Sequence, residues 1–390
     1  MSFFEETRER YEEELAGRII PFWERHSIDA RNGGFFSCLE RDGTVYDTLK
    51  HMWMQWREVY MFAALCSSRF RNPHFLEYAE AGYDFLFRHG RNPDGSYYYL
   101  LDASGRPVSG QEGGAEIFSE SFAAIACAEL YRASGNPQYR KEALRCWDLY
   151  WNHVLRTERP DPRFPGAAVR KQFAHYMIAL NVLTVMREAF PEAVPEERIE
   201  FMTDGILRFI HPVSGILFER ILPDGRFDTD TQDGRFTNPG HALEGLGFLL
   251  ESCRRRKAAA HVPKILRTVR IMLEYGWDRE QGGIFYFRDV LGKPLQKNEC
   301  MLKAWWPQNE AATAALLAYE FSGDEFFLDF FRRIDAYSWK NLRDPDFPEW
   351  FAYAAVDGRQ VHSYKGSRWK GFFHLPRYLL NCAEICRRAK

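Results

Sequence analysis

No stretch of 18 apolar residues occurs anywhere in the 390-residue sequence, so nothing in it reads as a membrane-spanning helix. The first residues, MSFFEETRERYEEELAGRII, are charged and amphipathic and lack the apolar run of a secretory leader. An excess of one charge is missing too. Lys and Arg number 52 against 54 Asp and Glu, with no basic stripe and no polybasic tail. That balance argues against nucleic acid or a membrane surface as partner. Eight cysteines fall at unrelated spacings, with no Cys-x-x-Cys pair and no His set nearby, so neither a disulfide framework nor a zinc site is indicated. A reduced, cytoplasmic, metal-free protein is the expectation.

What the chain does have is aromatic residues. Phe, Trp and Tyr make up 16% of it, and the 11 Trp include the near-pairs Trp53/Trp56 and Trp305/Trp306. Aromatics build cores, and a surplus of Trp also suits a pocket that stacks on sugar or base rings. Many of them sit in short Gly-punctuated segments that read as β-hairpins: 31–43, 91–107, 213–226, 280–294 and 348–359. These recur at a period near 65 residues, with one double step that places a degenerate copy at 158–167. Each is preceded by a charged amphipathic helix and followed by a more apolar one. The apolar helices start near His51, Ser119, Phe173, Pro239, Gln308 and His374. Six such units account for residues 1–390 as one all-α domain, an (α/α)6 toroid whose short hairpins gather at one mouth. An open solenoid is the alternative, disfavoured because no polar capping unit is visible.

In a toroid the inner helices run the same way, and their first turns meet at that mouth. Those turns carry Glu120, His175, His241 with Glu244, Glu310, and His374, while Arg57 lies about two turns into the first inner helix. One such residue would be a helix cap or a first-turn acid. Polar residues at nearly the same phase in five of six units point instead to a shared polar lumen. Histidines at helix N-termini are expected to be neutral near pH 7, because the dipole disfavours imidazolium. Glu244, one turn after His241, is placed to steady its ring, and Arg57 to stabilise an anion formed during reaction. Two bases and a cation suit proton abstraction beside a carbonyl and redelivery from the opposite face. The acid pair Glu244/Glu310 keeps a glycoside hydrolase open as a different class.

Five motifs, GGFFSCLERDGTVYDTLKHMWMQWR (33–57), GRFTNPGHALE (234–244), WDREQGGIFYFRD (277–289), KAWWPQNEA (303–311) and DPDFPEWFAYAAVDG (344–358) followed by KGSRWKGFFHLPR (365–377), resemble the N-acylglucosamine 2-epimerase family. The resemblance runs in order from about residue 10 to the end. It implies an (α/α)6 barrel and a cofactor-independent sugar 2-epimerase. Such an enzyme opens the sugar ring, removes the carbon 2 proton, forms a cis-enediolate and returns the proton to the other face. It implies His241 and His374 as the catalytic histidines, Arg57 as an essential arginine, and Glu244 and Glu310 as supporting acids. Arg235, Asn181, His175 and Trp306 then fall at substrate-contacting positions. Homodimers are common in the family. Substrates range from N-acylglucosamine and N-acylmannosamine to free sugars such as mannose or glucose, and an aldose–ketose isomerase making fructose is the alternative activity. Where ATP-stimulated members carry a Lys- and Gly-rich loop, this chain reads LRTERPDPRFPGAAVR (155–170), which weighs against nucleotide activation. His175 and WWPQNEA lean toward the free-sugar members, the two ends of the chain toward the N-acyl enzymes.

Overall fold

The computed structural model describes residues 2–108, 117–154 and 168–389. In chain order its helices are α1 (Phe3–Glu14), α2 (Ile20–His26), α3 (Met52–Cys66), α4 (Pro73–His89), α5 (Ile117–Ser134), α6 (Pro137–Val154) and α7 (Phe173–Ala189). There follow α8 (Glu196–Leu207), α9 (Gln232–Arg235), α10 (Pro239–Arg256), α11 (Val262–Gly276), α12 (Trp305–Ser322), α13 (Glu325–Asn341) and α14 (His374–Arg388). Helices α3, α5, α7, α10, α12 and α14 pack side by side as an inner ring, with the charged helices outside them. The patterns explain the sorting. In α12 nearly every residue from Trp305 to Ala318 is buried, and five alanines let its neighbours approach closely. In α11 the buried set is Ile265, Thr268, Val269, Met272, Leu273 and Gly276, a single stripe that leaves the opposite face in water. No helix among the described residues is long and apolar enough to cross a membrane.

The hairpins contribute less to themselves than to the ring. The strand entering an inner helix pairs antiparallel with the hairpin that follows the next outer helix. Lys50–His51 pairs with Leu100–Leu101, Lys171–Gln172 with Arg220–Ile221, Phe236–Thr237 with Arg288–Asp289, and Leu302–Ala304 with Tyr353–Ala355. The hairpin copy expected at 158–167 lies outside the described residues, as does most of the 155–170 segment. The ring closes on itself. The Lys365 N–H donates to the Leu39 carbonyl at 2.9 Å, joining the last unit to the first hairpin. Behind it, the Tyr11 hydroxyl donates to Asp335 at 2.6 Å and contacts the Tyr378 hydroxyl, and Trp350 Nε1 donates to Glu14 at 2.9 Å. Closure excludes the open solenoid.

Two repeated devices fix the mouth. A lysine entering the inner helix reaches a buried Asp at the hairpin start: Lys50 to Asp29 at 2.8 Å, Lys303 to Asp278 at 2.8 Å, Lys365 to Asp344 at 2.7 Å. One turn on, Gln55 clasps the N–H and C=O of Phe35, and Gln308 those of Ile284. Glu120 occupies the equivalent place in the second unit, accepting from the Tyr97 N–H at 2.7 Å. It therefore faces a hairpin and not the lumen. Burial pushes its carboxyl up to about 7. The fold favours the protonated acid, so this contribution is full below the ordinary carboxylate range and is lost as pH rises through about 7. Glu120→Gln should therefore stabilise the protein by about 1–3 kcal/mol at pH 8 and by much less at pH 5, measured as Tm at both.

Candidate active site

The inner-ring first turns open into a pocket enclosing roughly 1000 Å³, counted out to its mouth, and lined by Trp53, Arg57, Phe122, Asn181, His241, Glu244, Trp306, His374 and Arg377 among others. His241 reaches it because Asn238 caps α10, accepting from the His241 N–H at 3.2 Å, with Pro239 pre-set for the first turn. Gly240 must be glycine. A Cβ there would stand 2.7 Å from Pro307 and 2.9 Å from the Trp306 ring. That close approach sets the imidazole of His241 5.0 Å from Trp306, centre to centre, and the His374 ring lies 5.7 Å from the same indole.

Each histidine has its own carboxylate. His374 Nδ1 lies 2.7 Å from Glu310, and His241 Nδ1 lies 3.2 Å from Glu219. Their surroundings differ. Burial holds His374 well below the ordinary imidazole value, with the Arg57 and Arg377 cations adding to it. At His241 burial pulls the same way, but the Glu219 charge and hydrogen bond outweigh it and leave the ring above its ordinary value. The expectation of two depressed histidines thus holds for one. Two guanidiniums, Arg57 and Arg377, act against a proton on His374, whereas the Glu219 charge prevails at His241. Glu244 is not the group that steadies His241. Its carboxylate accepts from Arg377 Nη2 at 2.7 Å, and the same nitrogen donates to Glu310 at 2.6 Å. Glu244, Glu310 and His374 bring one ligand atom each within 4.8 Å of one another, and the charge lying between the two acids is this guanidinium.

Arg57 is a different kind of cation. Among the described residues its guanidinium has no ion pair, and its Nε has no hydrogen-bond partner. It is held by three aromatic faces, Phe122 at 4.2 Å, Trp53 at 4.6 Å and Phe373 at 4.6 Å. Burial lowers it to about 9, partly offset by the more distant charges of Glu244 and Glu310. A cation left unpaired in a pocket is available to an anion that arrives there.

Of the substrate-contacting positions, Trp306 and Asn181 line the pocket and two do not. Arg235 is buried and spent, bonded to Asp289 at 2.9 Å and to the carbonyls of Thr229 and Asp230. It shapes the loop before α10. His175 is not among the lining residues; its ring packs on Phe118, which is in the pocket wall, and on His153, and burial lowers it to about 4. The arrangement also holds two groups that the first-turn argument passes over. Arg377 was legible, standing one helical turn after His374 in the FHLPR stretch. Glu219 was not, because it lies in the hairpin ahead of α10, 22 residues before His241, and only the fold brings it to that ring.

A family model described as N-acylglucosamine 2-epimerase matches residues 34–377. The N-acylglucosamine 2-epimerase of Bos taurus is 37% identical over 379 residues, covering 94% of this chain and 88% of that protein. Among solved structures, a cellobiose 2-epimerase from Spirochaeta thermophila superposes with a TM-score of 0.84 at 21% identity, covering 99% of this chain and 98% of that one. A D-mannose isomerase superposes with a TM-score of 0.79 at 19% identity, covering 100% and 98%. The closed double ring of helices, the histidines gathered at one mouth and a match across nearly the whole chain lead to one conclusion: the chain belongs to the N-acylglucosamine 2-epimerase family and is a carbohydrate epimerase of the isomerase class.

Proposed function

We propose that the protein interconverts an N-acyl-D-glucosamine and the matching N-acyl-D-mannosamine by moving the proton on carbon 2, without a cofactor. The observation that carries this reading is the pair of imidazoles beside Trp306, each bonded to its own carboxylate, in a pocket with an unpaired Arg57. In the open-chain sugar the carbon 1 carbonyl acidifies the carbon 2 proton. A neutral imidazole takes it, and negative charge moves to oxygen 1, an anion suited to Arg57. A single base would return the proton to the face it came from, so inversion needs a second group on the other side. The directions of the two shifts fit that division: His374, held low, suits the base, and His241, held higher, suits the acid. In the reverse direction the two exchange roles.

The identity of 37% to an N-acylglucosamine 2-epimerase, against 21% and 19% for the cellobiose and mannose proteins, supports an N-acylated substrate. So does the pocket wall formed by Phe118, Phe122, Ala174, Met177 and Ile178. It offers apolar surface for an acyl group, and Asn181 beside it offers an amide partner. The hydrolase alternative fits less well. Glu244 and Glu310 share one Arg377 nitrogen, with oxygens within 4.8 Å, closer than the ~5–9.5 Å that hydrolytic carboxylate pairs keep. The test is an NMR screen of N-acetylglucosamine, N-acetylmannosamine, mannose, glucose and cellobiose. The N-acetyl pair should interconvert with kcat/KM at least tenfold above the rest; fructose from mannose, or a preference for cellobiose, would replace the reading.

The scheme also fixes a pH dependence. The active form carries one proton on the histidine pair, so the acid limb of kcat/KM reports His374 and the alkaline limb His241. Glu219→Gln removes the charge that holds His241 up. The alkaline limb should move to lower pH, with the acid limb unchanged.

A further inference from the structure

The sixth unit departs from the repeat in a way the chemistry above does not use. In the first and fifth units the residue before the clasped hairpin position is a glycine in the left-handed region, Gly34 at φ 71° and Gly283 at φ 79°. The partner on the inner helix is a glutamine, Gln55 or Gln308. In the sixth unit the same two places hold Glu349, at φ 65°, and Lys370. A buried glutamate in a conformation that side chains rarely adopt persists only where its surroundings hold it there. Here they do. The Glu349 carboxylate accepts from Lys370 Nζ at 2.5 Å, from Trp23 Nε1 at 2.7 Å and from the Trp350 N–H at 2.9 Å, and its carbonyl accepts from Lys365 Nζ at 2.8 Å. Lys370 also donates to the Lys365 carbonyl at 2.8 Å.

The same unit lacks the start of its inner helix. Helix α3 begins two residues past Lys50 and α12 two past Lys303, whereas α14 begins nine past Lys365, at His374. The intervening strap carries Trp369, which is 44% exposed at the pocket rim, and Phe373, which stacks on Arg57. Lys370 lies 5.7 Å over the ring of Trp305, which in turn packs edge-on against His374 at 6.3 Å.

We infer that Glu349 and Lys370 are positioning residues for the reaction: the pair replaces a helical turn with a fixed strap, and so sets where Phe373 and the His374 imidazole stand in the pocket. This rests on the role of His374 in the preceding reading. The fold itself supplies the control, since the Gly/Gln solution already serves two other units.

The experiment compares Glu349→Gly, the double variant Glu349→Gly/Lys370→Gln, and His374→Ala, on the full chain with N-acetylmannosamine. Glu349→Gly strands the Lys370 ammonium and should lower Tm. The double variant should recover most of that Tm, while kcat stays at least tenfold below the parent with KM within about threefold. Full recovery of kcat along with Tm would overturn the inference and assign the pair to stability alone. His374→Ala separates the two claims. If it keeps parental kcat the catalytic reading fails; if it is inactive while the double variant is fully active, only the positioning inference fails.

Discussion

His374→Ala and His241→Ala should each lower kcat by about 10²–10⁴-fold in both directions, the usual span for a general acid or base. Neither substitution should unfold the protein. Removing the His374 ring leaves Glu310 still bonded to Arg377, and the His241 side chain is already 32% exposed. Tm within a few degrees of the parent, together with collapsed turnover for both epimers, is the expected pair of measurements. A variant that stays folded and keeps a tenth of parental kcat would remove that histidine from the proton path.

The second large effect separates two arginines that a sequence cannot rank. Arg377→Met leaves Glu244 and Glu310 buried without their shared cation, and breaking such a network costs about 3–5 kcal/mol. Arg57→Met removes a cation that has no ion pair among the described residues, and the loss of its aromatic contacts is offset by relief of burying the charge. Its stability should move by no more than about 1.5 kcal/mol, while kcat falls about 10²–10³-fold, as expected for loss of one group that stabilises a developing oxyanion. Denaturant melts beside steady-state kinetics check both. Equal destabilisation by the two substitutions would mean that Arg57 is a structural cation and not one held for the reaction.

The helical double ring was legible because a 65-residue period and a consistent apolar/amphipathic alternation are properties of the chain itself. Asn238, Pro239 and Gly240 announced the start of α10, and their spacing put His241 in its first turn. What periodicity could not supply was direction around the helix axis. Glu120 and Glu310 both belong to first turns, yet Glu120 sits at the phase of Gln55 and Gln308 and turns to the hairpin, while Glu310 turns to His374. Partnerships that leave the helix were hidden for the same reason. Glu244 is one turn from His241 in sequence, but the nearer carboxylate comes from residue 219, and the partner of Glu244 comes from residue 377. Arg235 shows the converse. Its motif position was visible, but the Asp289 that occupies it belongs to the next hairpin.

The central claim is that two histidines address opposite faces of carbon 2, and proton exchange in heavy water tests it most directly. The parent enzyme should place deuterium at carbon 2 of the epimer it forms. His374→Ala and His241→Ala should each epimerise far more slowly than the parent, yet each should still exchange the carbon 2 proton of one epimer, and of opposite epimers. Epimerisation by the parent without deuterium at carbon 2, or exchange of both epimers by either variant, would contradict the account.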